Sequence, residues 1–335
     1  MSLRIAYYIH GRGRGHASRS VPVARRLVAA GHVVTVHGGG DASDLADETL
    51  DWRSRPPLVP GAGGISRLPR QIARDFTELG RLRPDLVVSD GDQAILAAAR
   101  ARRIPALALG HDLVFTCCSL PETLPRSALR YEWANALAPT YLTQRRVAVH
   151  FLPAETSRPG TALARPDGEP VQPSVSGEHF VAYFRDANGG EIVEWVRALG
   201  REVRCFGPGA TTADGSPSPF AERERFQSEL KTAAGVIGSA GSNLIAECVL
   251  HGKPLLALHR SDDTEQTLNA MIASAAHVAQ ALPIEQVTSK FVVRFVERVG
   301  AGDFSRIDLA SALRPVSDVM VELVQAQAVK LTSRS

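Results

Sequence analysis

Short apolar runs alternate with helix-length amphipathic segments along almost the whole sequence, and this restricts the fold more than any single residue does. Strand-type runs stand at Arg4 to His10, Val33 to Val36, Asp85 to Ser89, Pro105 to Leu109 and Arg146 to Leu152. They resume at Phe180 to Phe184, Val203 to Phe206, Gly235 to Ile237 and Pro254 to Leu258. Helical patterns fill the gaps. One starts at Ser18, read as a cap with Pro22 in the first turn, and ends at Gly31. Others cover 66–82, 92–103, 191–199, a stretch ending near Thr232, and 265–277, with an apolar-periodic tail from about Ile307. A strand that returns parallel to its neighbour needs a crossover, and near-continuous apolar strands are those covered on both faces. The pattern therefore predicts α/β architecture built from parallel sheets, with ligands at the C-terminal ends of the strands. It is interrupted once, at Pro153 to Val175, which is rich in Pro, Gly, Ser and Thr. The expected organisation is two Rossmann-like β/α/β domains, 1–152 and 176–305, a linker at 153–175 and a helical tail at 306–335, with the active site in the cleft between the halves.

Composition agrees with this and removes other classes. At 335 residues and 44% hydrophobic content there is ample material for two packed domains. The net charge is +3 without a Lys/Arg run, and aromatics are 6%, so a nucleic-acid partner is not expected. The four cysteines lack metal-type spacing and read as buried, reduced thiols. The chain opens directly on a strand pattern, and no apolar run reaches membrane-spanning length. A cytoplasmic protein without a transmembrane span, a metal or a cofactor is expected; a homodimer is left open.

The densest chemistry lies at Gly238-Ser-Ala-Gly-Ser-Asn-Leu-Ile-Ala-Glu247. Small residues let a ligand approach the backbone, and the unpaired N–H groups of a new helix suit a diphosphate. Ser239, Gly241, Ser242 and Asn243 are the candidates there. Glu247, among Ile245, Ala246, Cys248 and Val249, needs a polar partner and is expected to accept from ribose hydroxyls. The acid–amide pair Glu265-Gln266 is expected on sugar hydroxyls, with Asn269 supporting the turn. Phosphate, ribose and sugar contacts in that order imply a nucleotide-sugar site.

A second constellation follows the first strand: Gly11-Arg12-Gly13-Arg14-Gly15-His16, then Arg19. His16 can serve as the base that removes an acceptor proton, or as a binding group only. Asp90, at the end of its strand, can orient the ring, with Asp92 second choice. Gly13, Arg14, Gly15 and Arg19 are candidates for phosphate or acceptor contacts. His111, with Asp112, either joins the acceptor pocket or is a satisfied loop histidine. The glycines make a poor dinucleotide fingerprint, because the sixth position is His16 or Ser18.

These motifs together resemble GT-B glycosyltransferases. Gly238 to Glu247, Gly252-Lys253-Pro254-Leu255-Leu256-Ala257-Leu258, Glu265-Gln266 and Asn269-Ala270 are similar to their donor-binding half. The Gly-x-Gly-His opening is similar to the inverting group of macrolide, plant small-molecule and cell-wall N-acetylglucosaminyl enzymes. It looks nearest to predicted bacterial and archaeal glycosyltransferases with a Gly-Arg-Gly-x-Gly-His-x-x-Arg opening. The resemblance implies an acceptor-binding first domain, a donor-binding second domain and a C-terminal helix crossing back onto the first. It places Gly207, in Phe206-Gly207-Pro208-Gly209, where relatives hold the base or phosphates. Retaining relatives carry a Glu eight residues before the ribose-type Glu; here that position is Ser239, which favours inversion. The phosphate-contacting His of the antibiotic-tailoring branch and the Trp-containing plant signature are both absent.

The implied function is metal-independent, inverting transfer of a sugar from a nucleoside-diphosphate sugar, UDP ahead of dTDP or GDP, to a small-molecule, lipid or glycan acceptor. Arg12, Arg14 or Arg19 would help offset charge on the departing diphosphate. The alternatives are a nucleotide-sugar epimerase or hydrolase of the same fold, a non-catalytic nucleotide-sugar-binding protein and, least well matched, an NAD-dependent enzyme.

Overall fold

Arg4–Ile9 forms β1, and all of it except Arg4 is buried, as an interior parallel strand requires. A computed structural model describes residues 2–11, 14–56, 62–169, 177–184, 189–207 and 223–333. The chain divides into two units. The first takes in Met1–Ser119, Glu132–Asp167 and Leu313–Ser335; the second takes in Leu120–Tyr131 and Gly168–Ala312.

In the first unit, β1 is joined by β2 (Val33–Gly38), β3 (Asp51–Ser54), β4 (Leu86–Asp90), β5 (Ala106–Gly110), β6 (Arg145–Val149) and β7 (Thr161–Ala164). Among the described residues they make one sheet in the order β3-β2-β1-β4-β5-β6-β7, every pair parallel. Chain order reverses between β1 and β4, so the loops after these two strands diverge to opposite sides and open a crevice at their C-terminal ends. The register sets Ile9 beside Asp90.

The second unit repeats the plan with β8 (Phe180–Tyr183), β9 (Val203–Phe206), β10 (Gly235–Ser239), β11 (Leu255–His259) and β12 (Ala279–Pro283). Their order, β12-β11-β10-β8-β9, reverses between β8 and β10. The core joins Phe180, Ile237, Leu256 and Leu258 of the sheet to Ile192, Val193, Val292 and Phe295 of the covering helices.

The helix Val316–Thr332 belongs to the first unit. Its Val316, Val319, Met320, Val324 and Ala328 share one buried cluster with Ala24 and Leu27 of the helix Arg14–Ala29 and with Leu3 and Ile5. Its start is pinned. Ser317 donates from backbone N and Oγ to Asp167 Oδ1 at 3.2 and 2.9 Å. Arg165 N donates to Arg314 O at 3.0 Å, and Val316 N to Arg165 O at 2.9 Å.

Several boundaries differ from the sequence reading. The first helix begins at Arg14, so Ser18 is not its cap; Ser18 Oγ instead donates back to Gly15 O at 3.0 Å, and Pro22 lies in the helix interior. Part of the stretch read as linker is strand β7, and residues 170–175 of it lie outside the described set. The edge strands β3 and β12 and the helix Ser289–Ala301 had no reading. The cysteines Cys117, Cys118 and Cys248 are buried and Cys205 half-buried, all as free thiols. Among the described residues no helix is long and apolar enough to cross a membrane.

A buried ion-pair network ties the helix Ala62–Leu82 to the sheet. Arg55 holds Asp75 with two bonds, Nη1 to Oδ1 at 2.6 Å and Nη2 to Oδ2 at 2.8 Å, and reaches Asp92 Oδ2 at 2.8 Å. Its guanidinium lies 4.8 Å from the centre of the Tyr8 ring, which stacks on His37 at 4.3 Å. Burial first, then Arg55 and Arg53, lower His37 to about 3. Burial likewise holds His150 well below its ordinary range, and burial with Lys231 and Lys253 lowers His251 to about 4. Unfolded, each ring titrates near 6.5. Below that value the unfolded chain takes up protons that the folded chain refuses. The contribution of these neutral rings is therefore full above about pH 6.5 and falls as the pH drops towards 4. We expect the urea midpoint to fall between pH 7.5 and 5, with the fall shallower in His37→Gln; equal slopes in the two proteins would contradict this.

Candidate active site

His16 lies on the first helical turn after β1, the third residue of a helix that also carries Arg19 and Ser20. Positions three and four apart share a helix face, so all three address the end of β4. His16 Nδ1 lies 2.7 Å from Asp90 Oδ1. Arg19 donates to the same carboxylate twice, Nε to Oδ2 at 2.8 Å and Nη2 to Oδ1 at 2.6 Å. Ser20 Oγ donates to Oδ2 at 2.7 Å and itself accepts from Tyr7 Oη at 3.1 Å. Asp90 is fully buried, whereas the His16 side chain is 25% exposed. Burial pushes the Asp90 carboxyl up, but Arg19 and His16 outweigh it and hold the group well below the usual carboxylate range. Asp90 is therefore an anion, and Nδ1–H of His16 can donate to it, which leaves Nε2 to accept a proton.

Gly91 completes this corner. Its φ is +75°, a region open to glycine at little cost. A Cβ there would also stand 2.8 Å from His16 Cε1 and 3.2 Å from Nδ1. His10, at the end of β1, meets His16 edge-on with ring centres 5.3 Å apart.

The other residues expected here are differently placed. Arg19, expected on a phosphate or acceptor, is buried on Asp90. Arg14 pairs with Asp44 Oδ2 at 2.7 Å, and Gly15 is exposed beside it; Gly13 and Arg12 lie outside the described residues. Asp92, second choice as the partner of His16, caps the helix Gln93–Ala101 by accepting from Ile95 N at 3.2 Å, and its other oxygen meets Arg55. His111 is 2% exposed, not an open pocket residue. Its Nδ1 donates to Val149 O at 2.9 Å, and its ring packs against Phe115, His150 and Phe151.

In the second unit the corresponding turn follows β10. Gly238 is required by packing, since a Cβ would fall 2.3 Å from Tyr183 O and 2.8 Å from Leu244 Cδ2. Gly241 is not: its φ of −72° suits any residue, and a Cβ would meet nothing within 4 Å. It is the N-cap of the helix Ser242–Leu250, with no side chain to accept from the first N–H groups. Ser239, Ser242, Asn243 and Glu247 are all half-buried around this start. Asn269, fully buried, donates from Nδ2 to Ala240 O at 3.3 Å and so supports this turn from the next helix, whereas the sequence reading had placed it behind the Glu265-Gln266 turn. Glu265 is exposed at the start of that helix, Thr264–Ala275. Gln266 departs from expectation. It is 5% exposed, and its backbone N and Nε2 donate to Asp263 at 3.0 and 3.1 Å, so its amide closes a cap. Gly207 is buried directly after β9, and the loop following it, 208–222, lies outside the described residues.

Two parallel α/β units, each with its polar constellation at a reversal of strand order, define the GT-B class of glycosyltransferases. Residues 58–300 match the family described as Glycosyl transferase family 1, and the chain belongs to that family. An uncharacterized glycosyltransferase of Methanosarcina acetivorans is 30% identical over 125 residues, 33% of this chain and 32% of that protein. The chain thus matches about a third of the length of its curated relatives. Among solved structures, spinosyn forosaminyltransferase SpnP superposes with a TM-score of 0.65 at 15% identity, covering 98% of this chain and 100% of that one. Glycosyltransferase VinC, in complex with dTDP, gives 0.63 at 15% identity over 97% and 99%. Identities this low speak for the fold alone.

Gly91→Ala should remain folded, with a loss of about 1–2 kcal/mol from the left-handed backbone, and should displace the His16 ring. The check is a urea titration with the His16 Cε1–H resonance followed by NMR; an unmoved resonance would count against the contact.

Proposed function

We propose that the protein transfers a sugar from a nucleoside-diphosphate sugar to an acceptor, with inversion at the anomeric carbon and His16 as the base. The observation that carries this reading is the contact of His16 Nδ1 with the buried Asp90 carboxylate at 2.7 Å, which leaves Nε2 for the acceptor proton. Membership of Glycosyl transferase family 1 supports the reaction class. In the step itself the acceptor oxygen forms a bond to the anomeric carbon as the bond from that carbon to the diphosphate oxygen breaks. The acceptor proton passes to His16 Nε2, and the electron pair leaves with the diphosphate. A positioned base contributes about 10²- to 10⁴-fold to such a step.

The donor diphosphate is assigned to the turn Ser239–Ser242. Helix N-termini attract anions through their unpaired N–H groups and partial positive charge, up to about 2 kcal/mol in favourable geometry. The open face at Gly241 supports close approach of a phosphate to the backbone. Glu247, on the second turn of the same helix, is assigned to the ribose. UDP is the nucleotide we take first; VinC, which was solved with dTDP, makes thymidine the next base to try.

Two variants separate the roles. Gly241→Val suits the observed backbone, so its own melting temperature should stay near that of the parent. It should lose the rise that one nucleoside diphosphate produces in the parent across a panel of UDP, dTDP, GDP, ADP and NAD. A rise with NAD alone would overturn the donor assignment. His16→Gln should keep the nucleotide-induced rise and lose about 10²-fold or more in turnover; unchanged turnover would remove His16 as the base. Sugar-nucleotide cleavage that proceeds equally without any acceptor would point to a hydrolase.

A further inference from the structure

Asp90 is shared between a base candidate and an arginine, and the sharing has a chemical consequence. His16 Nδ1 stands 2.7 Å from Asp90 Oδ1 and 2.8 Å from Arg19 Nη2. An ionised carboxylate only accepts, and a guanidinium only donates. One ring nitrogen cannot satisfy both. With its proton on Nδ1, the ring donates to Asp90 and presents a bare Nε2. With Nδ1 bare, it accepts from Arg19 and presents Nε2–H, which cannot take a proton. Doubly protonated, it would place a second cation against the guanidinium.

We propose that Arg19 is a positioning residue whose charge cancels that of Asp90 at His16, so that the carboxylate orients the ring without leaving a net charge beside it. This deepens the reading of His16 as the base and rests on it for its catalytic meaning, though not for its physical content. The geometry is specific. Arg19 is 4% exposed at its side chain and bonds both carboxylate oxygens, so its charge sits as close to the ring as that of Asp90 does. Ser20 supplies a further neutral donor to Oδ2. His10, from the end of β1, meets the ring edge-on; around the carboxylate, Tyr7 donates to Ser20, and Asp112 Oδ1 and Asp90 Oδ1 both flank Gly110. On the same helix, Arg14 is engaged with Asp44. A base must release its proton after each turnover, and a neighbouring carboxylate without an opposing charge favours the protonated ring.

The test follows the His16 ring nitrogens by ¹⁵N NMR across pH in histidine-labelled full-length protein, with His16 assigned through His16→Gln and His10 read as a separate resonance. In Arg19→Gln the protonation midpoint of His16 should rise by about one pH unit, as for a group left beside an uncompensated opposite charge. If that variant does not fold, Arg19→Gln combined with the isosteric Asp90→Asn leaves no unpaired charge buried. Cancelled charges removed together should leave the midpoint within about 0.3 unit of the parent. A fall of a unit or more in the double variant, or no rise in a folded single variant, would overturn the proposal and leave Arg19 a purely structural tie. Turnover reports separately. If the acid limb of kcat/KM follows the NMR midpoint, both readings stand. If the midpoint moves and the limb does not, the charge argument holds and His16 is not the base.

Discussion

One buried carboxylate organises the first unit's polar corner. Asp90 ends an interior strand and is fully buried, so the oxygen lone pairs it presents are met by protein donors. Arg19, Ser20 and His16 meet them, and all three come from one helical face. The requirement works in both directions. The helix Arg14–Ala29 is fixed in rotation by the need to bring these residues to Asp90, and the same face, continued from Ser20 to Ala24 and Leu27, then enters the core shared with Val319 and Met320. The chemistry of the corner and the packing of the helix are set by the same contact.

The second unit solves a similar problem with backbone instead of charge. Its turn after β10 is shaped by Gly238, which has no room for a side chain, and is held from behind by Asn269. Gly241, three residues later, is under neither constraint. A glycine that the protein's own packing does not demand, at the start of a helix, is the feature of this unit that speaks most directly for a ligand-facing role.

The architecture was legible in the sequence because interior parallel strands leave continuous apolar runs, and β1, β4, β5, β10 and β11 all have them. The edge strands β7 and β12 were not, since half-covered strands such as Thr161–Ala164 carry no such run. Asp90 could be named as the partner of His16 because both follow adjacent strand ends. The place of Arg19 could not. Ser18 is a good cap residue, and starting the helix there removes the turn that sets His16, Arg19 and Ser20 on one face. Gln266 has a local role that the sequence reading missed for a related reason: Asp263-x-x-Gln266 is also the spacing of a cap, and the helix start uses it as one. In both cases a polar side chain that looked outward-facing serves a local backbone or charge need first.

The first unit is assembled from separated stretches of chain, with most of the second lying between Asp167 and Leu313. On the ribosome this fixes an order of events. The helix Arg14–Ala29 emerges before the second unit but carries an apolar face whose cover, Val316–Thr332, is made only after it. The second unit can complete its sheet while that face is still bare. The first unit is thus begun before the second and finished after it, and the stripe carrying Ala24 and Leu27 stays uncovered while the second is made.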